Sequence, residues 1–159
     1  MTQEQKRGYQ ARIMEANRGE LVVIIYELFL LSLEDARTAF KKGESEEGIR
    51  CVKKAEGFLQ ELMGSLDRRY EIAEHLMRLY RYVYEQLIFS VLRKKIVNDE
   101  TVCFVMGRLK DAFSEVSKKD NSEPLMEHTQ KIYAGLTYGK NSLNEVLLSG
   151  DEMNRGFRA

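Results

Sequence analysis

The sequence predicts an all-helical protein, an antiparallel four-helix bundle. Three observations predict it. Apolar residues recur at three- and four-residue intervals through four successive segments, the period of a helix with one buried stripe. Only short connections separate those segments, so each helix must return alongside the one before. One proline stands in 159 residues, and no segment shows the apolar-polar alternation of a strand.

Residues 1–16 are predicted to be an N-terminal arm, a short helix or an extended strap, because this polar segment carries Tyr9, Ile13 and Met14 on one side. The bundle is predicted over residues 17–119. Its first long helix runs from about Arg18 to Lys42, with Asn17 as N-cap, Glu20 completing a capping-box variant and Gly43 as a left-handed C-cap. The second covers about Ser45 to Leu66 on the stripe Val52, Ala55, Leu59, Leu62 and Leu66. The third carries Ile72, Leu76, Leu79, Tyr80, Val83 and Leu87 and ends in the basic Arg93 to Lys95, charge that suits a helix C-terminus. Asn98 and Asp99 then offer caps for a fourth helix bearing Val102, Met106, Leu109, Phe113 and Val116, which ends near Lys118. "KKDNSEP" breaks the pattern. In residues 120–159 Pro124 opens a short fifth helix reaching Leu136, and a mobile tail rich in Gly, Asn and Ser follows.

Composition narrows the function. The 25 basic and 25 acidic side chains cancel, so no overall field draws the chain to nucleic acid or to an anionic membrane. The apolar run Leu21 to Leu33 is shorter than the roughly 20 residues needed for membrane insertion and is followed at once by Glu34, Asp35 and Arg37. The polar start has no signal-peptide core, and a cytoplasmic location is expected. Cys51 and Cys103 stand alone, without metal-ligand spacing, and read as small core residues.

The sequence also predicts that the protein is not an enzyme and takes no cofactor or metal. Three residues before His75 and His128 stand Ile72 and Leu125, so the Glu-x-x-His pairs of di-metal bundles are missing. Nucleotide-binding glycine loops and a nucleophile elbow are missing too. His75 on a helix raises phosphotransfer signalling as an alternative, but its neighbours Glu74, Leu76, Met77 and Arg78 leave no clearance for a partner's aspartate.

The most informative segment is "GELVVIIYELFLLSLEDARTAFKKG". From Leu21 to Leu33 only Glu27 and Ser32 are clearly polar, so apolar groups point in every direction around the helix. Leu21, Ile25, Leu28 and Ser32 share one side; Val22, Tyr26, Phe29 and Leu33 occupy an adjoining one. On the third helix Met77, Tyr84, Ile88 and Leu92 likewise flank the core row. Two explanations coexist: a central helix with neighbours on all sides, or a groove for a partner's amphipathic helix, roofed by the arm through Tyr9 and Ile13.

With Tyr9 and Ile13 ahead of "GELVVIIY", the segments "KAEGFLQELMGSLD" (Lys54 to Asp67) and "EIAEHLMRLYRYVYEQL" (Glu71 to Leu87) follow at compatible spacing. Together they resemble the flagellin export chaperone family, FliS. The resemblance spans about Tyr9 to Val116 and is carried by Glu20-Leu21-Val22, Tyr26, Glu61-Leu62, Leu66-Asp67 and Leu79-Tyr80 with Tyr82 in register. It implies a cytoplasmic helical chaperone that binds the disordered C-terminal segment of flagellin, prevents premature polymerisation and keeps the subunit competent for flagellar export. It also implies an arm that folds over part of the groove and is displaced.

Further partners implied are the flagellar export gate and an anti-sigma factor or assembly regulator, with the chain a monomer or weak dimer. An anti-sigma factor as the main client is a second alternative. The candidate partner contacts are Tyr9, Ile13, Leu21, Val22, Ile25, Tyr26, Phe29, Leu62, Leu66, Tyr80, Tyr84 and Ile88; Tyr26, Leu62 and Leu66 read equally well as core. The chain departs from the family at Arg18, where proline is usual, at Glu27-Leu28, where a small Asp-Gly or Asn-Gly pair is usual, and near Ile49 and Cys51, where asparagines are usual.

Overall fold

Reciprocal side-chain caps start the first two helices of the computed structural model, which describes residues 1–119. Thr2 Oγ1 accepts the Gln5 N–H at 3.2 Å while Gln5 Oε1 accepts the Thr2 N–H at 2.8 Å. Asn17 and Glu20 repeat the arrangement at 2.9 and 3.0 Å. Each box satisfies two backbone donors that a helix start would otherwise leave unpaired. The arm is therefore a helix, α1 (Gln3–Glu15), and α2 (Arg18–Lys41) follows after two residues. Gly43, at φ +79°, turns the chain into α3 (Ser45–Gly64). A left-handed backbone there carries no steric cost for glycine.

The remaining helices are α4 (Glu71–Arg93) and α5 (Asp99–Ser117), so the described residues are all-helical. α4 ends as its basic residues suggest, with Lys94 itself left-handed at φ 51°. Asn98 corrects one expectation. It occupies the N-cap position of α5 but makes no cap bond: its backbone is left-handed at φ 49° instead of extended, and its side-chain amide N–H donates to Gln86 Oε1 at 2.8 Å. Together with Ser90 Oγ, which accepts the Val97 N–H at 2.9 Å, that bond ties the turn back onto α4. The short fifth helix and tail predicted for residues 120–159 lie outside the described residues.

Successive members of the bundle α2–α5 run antiparallel. α2 is its centre. It packs most closely against α3 and α5, α4 leans on α3, and α1 runs antiparallel along the outside of α2. At the α2–α3 turn the Phe40 ring occupies the space a side chain at Gly48 would need. In the middle of the bundle the hydroxyls of Tyr26 and Tyr80 hydrogen-bond each other, and the Tyr26 ring meets Phe113 at 5.6 Å between centroids. Burial pushes both phenols above their ordinary pKa, so they stay neutral.

Arg37 on α2 grips Asp99, in the first turn of α5, through two bonds of 2.6 Å. Its guanidinium holds the Asp99 carboxyl below the usual carboxylate range. A depressed folded-state pKa contributes stability above the unfolded value near 3.8, and that contribution is lost as pH falls through the lowered folded value. Asp99→Asn is therefore expected to cost about 1 kcal/mol at neutral pH, the pair being partly solvated. Urea denaturation at descending pH should show the gap between variant and parent closing below the carboxylate range; a gap independent of pH would place the effect elsewhere.

Candidate partner-binding surface

The apolar girth of α2 meets neighbours on every side, and this decides where most of the candidate contacts lie. Leu21, Ile25, Tyr26 and Phe29 are buried by the chain's own helices, as are Leu62 on α3 and Tyr80 on α4. These side chains are core in the described structure and offer no open surface to a partner. Val22, Leu66 and Tyr84 are half-buried at the margins, with the Tyr84 hydroxyl donating to Glu56 at 2.9 Å. Ile88 is exposed.

α1 forms the cover. Ile13 and Ala16 are buried, and Tyr9 is half-buried against the core. Polar, solvent-facing bonds make up much of the remaining contact. Arg12 bonds Glu27 on α2 at 2.6 and 3.3 Å and lies over the Tyr9 ring, while the N-terminal amine pairs with Asp35 at 2.7 Å. Partial burial, then the nearby Glu27 carboxylate, raises the Tyr9 pKa; the hydrogen bond to Glu27 raises that of Arg12. Met1 shares a narrow crevice with Leu28 and Leu31 of α2 and Phe58 of α3. One fully enclosed large apolar side chain and exposed ion pairs make a light attachment, since exposed pairs contribute about 1 kcal/mol or less each.

Open apolar surface lies instead on α4 and α5. Ile88, Phe89 and Leu92 form a patch near the C-terminal end of α4, with Arg93 over the Phe89 ring, and Phe104 stands out from α5. Ile72 and Leu79, expected in the core row of α4, are exposed as well, because no described element packs over that flank. Phe89 and Phe104 were not among the candidates. Their signal was present, as both are aromatic residues standing off the apolar stripe of an amphipathic helix.

Among the described residues no group of three His, Cys, Asp or Glu side chains could hold a metal ion, and no helix is long and apolar enough to cross a membrane. His75 is exposed on α4. The family model described as flagellar protein FliS matches residues 1–120. The chain belongs to the FliS family. No curated protein matches the chain. FliS proteins are flagellar chaperones, and the match includes all five described helices. The lightly attached α1 of this FliS chain lies inside the matched region, whereas residues 121–159 lie beyond it.

Proposed function

We propose that this FliS chain is a cytoplasmic export chaperone whose client is the disordered C-terminal segment of flagellin. It would keep that segment from polymerising and hold it ready for flagellar export. The observation that carries the reading is a helix-sized cover, α1, held against α2 mainly by Ile13 while apolar residues of α4 stand open beside the bundle. A client folding into helices loses chain entropy and recovers free energy by burying its apolar side chains along such a surface.

Tyr9, Val22, Leu66, Tyr84 and Ile88 are the candidate contacts within reach of a client before anything moves. The buried candidates can contribute only by shaping the bundle or after α1 departs. Replacement of α1 by a client helix would exchange one amphipathic helix for another, so the bundle need not open.

Titration of the chain with a peptide of flagellin's C-terminal segment, followed calorimetrically, tests the reading. Saturable binding is expected. Ile88→Asp should weaken it about tenfold, equivalent to about 1.4 kcal/mol, with the thermal transition unchanged because the side chain is exposed. Absence of binding to the parent chain would overturn the client assignment. Unchanged affinity in the variant would remove Ile88 from the interface. Ile25 is unsuitable for this test, since a charge at that buried position would unfold the protein.

A further inference from the structure

The C-terminal half of α4 carries an apolar patch that the bundle leaves open. Ile88, Phe89 and Leu92 are 44%, 45% and 71% exposed, and as residues one, three and four apart they lie side by side on the helix surface. Val83, Leu87 and Ser90 on the opposite side are buried, so the helix cannot roll to turn the patch inward. Arg93 lies over the Phe89 ring at 6.0 Å, which holds a guanidinium at the edge of the patch.

The rim is basic. Arg81 precedes Ile88 by two turns on the same side, and Arg93, Lys94 and Lys95 follow Leu92; all four are exposed. None of the four forms an ion pair among the described residues, whereas Arg12, Arg37, Arg50 and Arg69 each meet a carboxylate. A single carboxylate, Glu85, stands within the patch, one turn before Ile88 and Phe89. Offsetting the helix dipole accounts for Arg93 to Lys95 but not for the three apolar side chains open between them and Arg81.

We propose that this end of α4 docks an acidic amphipathic helix of a partner protein. The partner's apolar stripe covers Ile88, Phe89 and Leu92, and its carboxylates pair with Arg81, Arg93 and Lys95. Arg81 to Arg93 spans about 18 Å of helix, so three to four turns of partner suffice. Apolar burial supplies the affinity, and the unpaired cations select the partner's sign and speed its arrival. Glu85 argues against a membrane or nucleic acid as the occupant. A helix can set a neutral residue opposite that carboxylate, and a continuous anionic surface cannot. The charge preference holds whether or not flagellin is the client, although Ile88 is shared with that reading.

Fluorescence anisotropy tests the proposal with a labelled peptide about four helical turns long, leucine on one face and glutamate elsewhere, beside the same peptide with lysine for glutamate. The full chain is expected to bind the glutamate peptide at least about tenfold more tightly than the lysine peptide, with added salt narrowing the gap. Leu92→Ser should weaken the glutamate peptide about tenfold, and Arg81→Glu with Lys95→Glu should reverse the preference. Thermal transitions should stay close to the parent's, because all three side chains are exposed. Absence of binding, equal binding of both peptides, or a preference untouched by the charge reversal overturns the proposal. Equal or tighter binding to vesicles of anionic phospholipid also overturns it, by making a lipid surface the occupant. Flagellin takes no part in these measurements, so a chain that binds flagellin's segment and ignores the glutamate peptide keeps its client and loses only this docking site.

Discussion

Truncation of Phe29 to alanine is expected to destabilise the protein by about 3–5 kcal/mol, the range for removing a large aromatic side chain from a core. Phe29 has no exposed surface and sits on the central helix, where close packing by α3 and α5 leaves little freedom for collapse into the vacated space. A loss of that size is a large share of the about 5–15 kcal/mol that holds a domain folded. Urea denaturation followed by circular dichroism should therefore show a midpoint far below the parent's. A surface residue that served only a partner would behave differently: the variant would unfold with the parent and bind its client more weakly. An unfolding free energy within about 0.5 kcal/mol of the parent's would show that Phe29 is not the core residue its burial implies.

Deletion of residues 1–14 should give the largest change in binding. The cut removes Tyr9, Arg12 and Ile13, and also Met1, which shares the crevice with Leu28, Leu31 and Phe58. Burial of an isoleucine side chain contributes about 1.5–3 kcal/mol, and part of that offsets the cost of ordering the arm. The net bias toward the covered state is then about 1–2 kcal/mol. A client that competes with the arm should bind about tenfold more tightly once the arm is gone, since it no longer has to displace it. Dye fluorescence without client should rise in parallel. If dye binding stays at the parent's level, or client affinity falls, α1 is a fixed part of the bundle or of the interface and not a displaceable cover.

Helix positions were legible because they depend on neighbours in sequence. The Asn17–Glu20 box, Gly43 and the buried row Val52, Ala55, Leu59 and Leu62 of α3 are local signals, and each appears in the structure with the chemistry expected of it. Asn98 misled for the same reason. A cap is a local inference, yet its amide found Gln86, a partner across the α4–α5 turn that local rules do not weigh.

The candidate surface was legible only in kind. An excess of apolar side chains on α2 follows from the residues alone, but two assemblies satisfy it: more neighbours in the same chain, or a partner from outside. Leu21, Ile25, Tyr26 and Phe29 went to the first because α1, α3 and α5 pack against one helix and Tyr80 of α4 reaches its Tyr26. Ile72 and Leu79 show the converse. On a wheel they belong to the buried row of α4, and they are exposed because the flank they occupy lacks a described neighbour.

The residues by themselves determined that the chain is helical, where α2 to α5 begin and end to within a few positions, and that it carries more apolar surface than one stripe per helix. Those properties arise from side-chain period and backbone caps, whose range is one or two turns. Tertiary structure alone decided which apolar faces were covered, that the arm lay against α2, and that open surface remained on α4 and α5 among the described residues. Burial is a relation between elements distant in sequence, so the same isoleucine is core or contact according to what packs against it.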